Sequence, residues 1–168
     1  MNKVTLCIPT LNPGKLAKDM VDALKLQTLQ PHEILVIDSA STDGSIAAYA
    51  EVGAKIIAIQ RQDFDHGGTR NIAYAQSAAD VYVFMTQDAI PTDCNALQNL
   101  VNALVANEQC ALVYGRQAPA PSAGVFARHA RLYNYPAGQG VLLKSAADVP
   151  KLGIKTAFCS NSFCCVST

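Results

Sequence analysis

The chain has 168 residues, half of them hydrophobic and 15% charged, and its 13 Lys plus Arg balance 13 Asp plus Glu. That length predicts one domain with ample apolar material for a core, and the neutral balance gives no electrostatic reason to expect a nucleic-acid or anionic-membrane surface. No run of about 18 apolar residues is present to cross a bilayer, and the start MNKVTLCIPT lacks the long apolar region of a signal peptide.

Lys3–Pro9 (KVTLCIP) is a short apolar run stopped by Pro and reads as a strand. Lys15–Gln27 places Leu16, Met20, Val21 and Leu24 on one helical face, and Pro31 ends that unit. Glu33–Ile37 (EILVI) is a buried strand. The run Ser41-Thr42-Asp43-Gly44-Ser45 then supplies helix-start chemistry before Ile46–Val52. Ala54–Ile59 is a third strand, Thr69–Ala79 an Ala-rich helix suited to close packing, and Val81–Met85 a fourth strand. Asn95–Val105 carries Leu97, Leu100, Val101, Leu104 and Val105 as a helical stripe, and Cys110–Tyr114 is a fifth strand. Beyond Gly115 the texture changes. Arg116–Gly124 is a Pro- and Ala-rich loop, Val125–Leu132 a short helix, Asn134–Gly140 irregular, and Thr156–Val166 strand-like again.

Strands and helices alternate through the first 115 residues, and the strands are continuously apolar. This predicts an α/β fold with a doubly wound, mostly parallel sheet and helices on both faces. In such folds ligands gather outside the carboxyl ends of the strands. Six Cys occur without a C-x-x-C pair, and His32, His66 and His129 are scattered. Reduced thiols in a cytosolic protein are therefore expected rather than a zinc site.

Several strand ends carry polar groups: Pro9-Thr10-Leu11-Asn12 after the first, Asp38 to Asp43 after the second, Asp63 to Asn71 after the third, and Thr86-Gln87-Asp88 after the fourth. The glycine fingerprint of dinucleotide enzymes, the P-loop and the nucleophile elbow of α/β-hydrolases are all absent from the sequence. Asp38 can accept a hydrogen bond from the imide N–H of a pyrimidine, or serve as a turn residue; Asp43, followed by Gly44 and a helix, fits the capping role better. His66-Gly67-Gly68 would let backbone approach a phosphate. Arg70 can neutralise a diphosphate, or stand as a surface Arg. Asp88 can hold a divalent cation bridging that diphosphate, or be a turn acid before Pro91.

The stretches VTLCIPTLN (4–12), EILVIDSASTDGS (33–45), DHGGTRN (65–71) and FMTQDAIP (84–91) resemble family 2 glycosyltransferases of the GT-A fold. Gly115–Gln117, Phe126–Pro136 and Phe158–Asn161 are similar to the bacterial rhamnosyltransferase-like members. The resemblance implies one GT-A donor-binding domain over 1–168, with 1–115 as nucleotide-binding core and 116–168 as the start of the acceptor region. It implies an inverting transfer of a sugar such as rhamnose, from a dTDP- or UDP-sugar to a glycan or lipid-linked acceptor, in cell-surface polysaccharide synthesis. It places nucleotide contacts at Pro9, Thr10 and Asn12, the base-binding acid at Asp38 and the basic residue at Arg70. Ser41, Gly68, Thr86 and Gln87 complete the nucleotide-sugar set. Of the family's D-x-D motif only Asp88 survives, with Thr86 in the place of the first acid, so Asp88 is the expected ligand of Mn2+ or Mg2+.

The family's general base falls beyond Thr168, and neither Glu108 nor Asp148 matches it. The catalytic residue stays unassigned, and the C-terminus reads as truncated or naturally short. The alternative reading is a catalytically incomplete nucleotide-sugar-binding fragment. A cytoplasmic location, peripheral at the inner membrane face, is expected, as is a homo-oligomer through Phe158, Phe163 and Val166 on an exposed C-terminal edge.

Overall fold

A computed structural model of the chain describes residues 2–120, 122–135, 138 and 140–168. It separates into two compact units, one of residues 1–114 with 160–168 and one of residues 115–159.

The first unit is built on β1 (Val4–Thr10), β2 (Glu33–Asp38), β3 (Lys55–Ala58), β4 (Val81–Met85), β5 (Leu112–Tyr114) and β6 (Phe163–Ser167). They form one sheet in the order β3-β2-β1-β4-β6-β5. β1, β2, β3 and β4 pair in parallel, as the alternation predicts, and β6 runs antiparallel to both β4 and β5. The six-stranded sheet is therefore mixed but parallel where it matters for a ligand edge.

Side-chain alternation splits the sheet's apolar residues between two faces. Leu6, Ile8, Val36, Val83 and Met85 face α1 (Lys15–Lys25), α3 (Ala96–Val105) and the 3₁₀ segment Ser45–Val52. Cys7, Leu35, Ile37, Tyr82 and Phe84 face α2 (Gly68–Gln76) through Ala73. Two helical positions depart from the sequence pattern. Leu16 is exposed and Ala17 takes its place against the sheet, while Val105 points outward at the end of α3.

Hydrogen bonds from one loop tie the end of α1 to the start of α3. Gln27, buried after α1, donates through Nε2 to the carbonyls of Ala23 (3.2 Å) and Asp93 (2.8 Å), and its Oε1 accepts from the backbone N–H of Leu97 (3.0 Å). An orphan N–H at the start of α3 is thus satisfied from about 70 residues away.

The second unit contains α4 (Val125–Asn134), α5 (Val149–Leu152) and two 3₁₀ turns. None of its described side chains is buried. The expected irregular segment 134–140 includes Pro136, Ala137 and Gln139, which lie outside the described residues, as does Pro121 of the Pro-rich loop.

The expected open C-terminal edge is not there. β6 is hydrogen-bonded on both sides, between β4 and β5, and Phe163 and Val166 are half-buried. Self-pairing through these two residues loses its basis because their backbone groups are already used. All six Cys are free thiols.

Candidate functional site

The carboxyl ends of β1, β2 and β4 lie on one edge, because the three strands are adjacent and parallel. Thr10 and Asp38 are direct register partners at the last rung between β1 and β2. From there the two chains are latched together. Ser39 N–H donates to the Thr10 carbonyl at 2.9 Å. Asn12 N–H donates to Ser41 Oγ at 2.8 Å, and Asn12 Oδ1 accepts from Thr42 N–H at 2.8 Å.

Asp38 is buried, 8% exposed, and its carboxylate accepts from the N–H and the hydroxyl of Ser41. A carboxylate has about four acceptor positions; the Ser41 hydroxyl takes one on Oδ1, and the Ser41 N–H, 3.1 Å away, takes one of the two on Oδ2. Capacity therefore remains at Oδ2. One residue in each of the two loops is left-handed, Asn12 after β1 with φ 44° and Ala40 after β2 with φ 63°. Asn tolerates that region, whereas Ala there costs about 1–2 kcal/mol. Strain stored in a ligand-edge loop is a common mark of a functional site.

Gln87 turns inward. Its Oε1 accepts from the Thr10 hydroxyl (2.9 Å) and the Leu11 N–H (2.7 Å), and its Nε2 donates to the Leu11 carbonyl (3.2 Å). Gln87 therefore braces the tip of β1 against the tip of β4. Thr10 is itself buried, with the equally buried Tyr49 ring alongside. Burial pushes the Tyr49 phenol above its ordinary pKa, and the neighbouring Thr10 hydroxyl partly offsets this.

Asp88 is exposed, and its Oδ1 accepts from the Thr86 hydroxyl at 2.6 Å. Thr86 itself is anchored by its N–H to the carbonyl of Ser162, the residue before β6, at 2.9 Å, which steadies the turn. The Thr hydroxyl at the first position of the triplet thus orients the one carboxylate, and Oδ2 is left for a ligand. Among the described residues no three His, Cys, Asp or Glu cluster as a preformed cation cage. The donor set fits a hard divalent cation only if phosphate oxygens supply the rest.

Gly68 and Arg70 open α2. Asp65 Oδ1 accepts from the N–H groups of Gly67 (2.9 Å) and Gly68 (2.8 Å). A Cβ at residue 68 would collide with that Asp65 carboxylate, so glycine makes room for the cap. The N–H groups expected to meet a phosphate are thus taken by Asp65, and an Asp just before a helix is the sequence signal for such a cap. Asp43 is the structural acid expected of it, accepting from Ser45 and from the Gly14 N–H at the start of α1.

Arg70 donates to the carbonyls of His66 and Asn161, the latter at 3.2 Å, while its Nε is buried without a partner, as is Ser39 Oγ. Burial pushes the Cys7 thiol up to about 12, with the Arg70 charge acting the other way. Pro9 sits half-buried within β1, its register partner being Ile37. The structure thus gathers Thr10, Asn12, Asp38, Ser41 and Gln87 in one bonded network, with Thr86 and Asp88 continuing the same strand end.

A family model described as "Glycosyl transferase family 2" matches residues 5–165. The O-antigen chain rhamnosyltransferase RfbN of Salmonella typhimurium (strain LT2) is 46% identical over 163 residues, 96% of this chain and 51% of that protein. The O-antigen chain rhamnosyltransferase WbaN of Salmonella anatum is 42% identical over 165 residues, 97% of this chain and 51% of that protein. The chain therefore spans about half the length of the curated relatives it matches.

Among solved structures, glucosyl-3-phosphoglycerate synthase from Mycobacterium tuberculosis in complex with UDP aligns over 99% of this chain and 57% of its own, with TM-score 0.66 and 18% identity. The mannosyltransferase PcManGT from Pyrobaculum calidifontis, in complex with GDP-Man and Mn2+, aligns over 67% of this chain and 35% of its own, with TM-score 0.59 and 24% identity.

Proposed function

This chain belongs to glycosyl transferase family 2 and has the GT-A fold, and from that premise we propose that its carboxyl edge binds a dTDP- or UDP-sugar for inverting transfer to a glycan or lipid-linked acceptor. Rhamnose is the proposed sugar and cell-surface polysaccharide synthesis the setting, on the strength of the two O-antigen relatives. The observation that carries the reading is the bonded network at the tips of β1, β2 and β4, with a free carboxylate oxygen on Asp88 beside it.

In this reading Asp38 Oδ2 accepts the imide N–H of the base. Asn12 and Ser41 shape the loop above it. Thr10 and Gln87 act by position, since their polar atoms already bond each other. Pro9 supports the same strand end, and Arg70, with its unpartnered Nε, is the residue of α2 proposed to face the diphosphate, while Gly68 serves by leaving room for the Asp65 cap. Asp88 would hold Mn2+ or Mg2+, with Thr86 fixing its rotamer, and a cation there would supply electrostatic stabilisation for the departing diphosphate.

A second reading, a donor-binding module that needs further residues to transfer sugar, is favoured by the two acids after Asp93. Asp148 is committed to capping Ser145. Glu108 precedes β5, which runs parallel to β4, and so stands at the opposite, amino edge. Neither acid is placed to take a proton from an acceptor hydroxyl. We further propose a peripheral location at the cytoplasmic membrane face; no helix among the described residues is long and apolar enough to cross a membrane.

Calorimetric titration tests the site. Mn2+ should bind weakly alone and tightly with UDP or dTDP, with coupling in both directions. Asp88→Asn should abolish the coupling and spare metal-free nucleotide binding, while Asp38→Ala should cost about 1–3 kcal/mol of nucleotide affinity. Unchanged nucleotide affinity in Asp38→Ala would overturn the base assignment. Turnover by the chain alone at the rate of a full-length relative would eliminate the second reading.

A further inference from the structure

The neutral total charge averages two opposite populations. Residues 115–159 contain six Lys and Arg but one acid, Asp148, a net of +5, whereas the remaining residues carry seven Lys and Arg against twelve acids, a net of −5. The basic unit is also the one in which no described residue is buried.

Its helix α4 is amphipathic by spacing. Val125, Phe126, Leu132 and Tyr133 fall on one face at intervals of seven and eight with His129 between them, while Arg128 borders that face and Arg131 lies opposite it. A stripe of this kind normally packs on a core. Here Val125 is 80% exposed and Phe126 91% exposed, and no residue of the helix is buried.

The rest of the unit repeats the pairing of cation with apolar surface. Lys155 Nζ stands 4.7 Å over the Tyr133 ring and Lys144 Nζ 5.7 Å from the Phe158 ring, and Leu142, Leu143 and Ile154 are exposed nearby in sequence. A shallow groove lined by Lys144, Val149 and Ile154 continues the mixture.

We propose that residues 115–159 form a docking surface for an anionic lipid bilayer. The apolar stripe of α4 enters the headgroup boundary, and Arg128, Arg131, Lys144 and Lys155 meet the lipid phosphates. The physics is that of interfacial amphipathic helices: apolar burial of about 5–10 Å depth is reinforced by cations beside anionic headgroups. The charge argues for this occupant over a second copy of the same face, because two +5 surfaces repel and an anionic bilayer attracts. The inference rests on the peripheral location proposed above and is independent of the donor reading, since nucleotide binding belongs to the other unit.

The test uses the whole chain, which contains no Trp, so Phe126→Trp installs a single reporter. Probes are vesicles of phosphatidylcholine alone or with about a third phosphatidylglycerol. The expected result is sedimentation with, and a blue shift on, the anionic vesicles only, weakened by salt as screening shortens to a few ångströms. Arg128→Gln with Arg131→Gln should weaken binding about 25-fold, about fivefold per charge. No described side chain of α4 is buried, so these variants keep the fold, and unchanged dTDP or UDP affinity in them verifies it. Three results would overturn the inference: no binding to anionic vesicles, equal binding to both lipids, or an emission already blue-shifted without vesicles, which would mean that protein covers the stripe. Vesicle failure with intact nucleotide binding would remove this inference alone.

Discussion

The strand Val81–Met85 is buried at every position, while the helix Val125–Asn134, with twice as many residues, buries none. Both are apolar in pattern. The difference lies in what surrounds them. The strand has sheet neighbours on either side and helices over its faces, whereas the helix belongs to a unit of 45 residues. Units near that size enclose too little volume to bury their own apolar stripe. An apolar pattern therefore records a demand for burial, and the size of the unit decides whether the unit itself meets it.

The sharpest way to break this contrast is a matched pair of truncations. Leu35→Ala, at a fully buried position in β2, should cost about 2–5 kcal/mol by urea denaturation. Leu142→Ala, at a 78% exposed position, should stay within about 0.5 kcal/mol. Similar losses at both sites would mean that the second unit is packed in solution.

The next effect probes how the first unit is tied together. Gln27→Ala leaves the Leu97 N–H and the Asp93 carbonyl without their partner and should cost about 1–3 kcal/mol. A loss confined to a few tenths of a kcal/mol would show that water replaces the side chain.

The last effect is absent at neutral pH, where the first two are read, and appears only in alkali. Burial raises the thiols of Cys7 and Cys165 from 9.0 to about 12, and both lie in the sheet. The folded state holds these protons more tightly than the unfolded chain. Their contribution is therefore complete below about pH 9 and is lost as pH rises toward 12, at up to about 1.4 kcal/mol per pH unit for each group. Urea midpoints should be flat below pH 9 and decline above it, with Cys7→Ala flattening the decline relative to its own neutral-pH value. An identical alkaline slope in that variant would reject the linkage.

Where polar groups end an apolar strand, the sequence was sufficient. Asp38 ends its strand and Asp88 follows its strand by three residues; runs of four and five apolar residues bounded by turn signals read as buried strands, and a parallel sheet puts their carboxyl ends on one edge. The charge segregation was equally present in the sequence beyond Gly115, but a whole-chain average concealed it.

What remained for tertiary structure depends on partners far apart in the chain. Gln87 looked like a ligand contact, yet it bonds Leu11 and Thr10 across more than 70 residues. Gly68 looked free for a phosphate, yet its space is taken by Asp65. β6 looked like a loose edge, yet it fills the gap between β4 and β5. Local pattern determines which backbone is helix or strand and which face is apolar, because those preferences act over one or two turns of chain. Which hydrogen-bonding groups are already satisfied, and which side chain is left to a ligand, is decided only when distant segments meet, because that pairing has no sequence period to announce it.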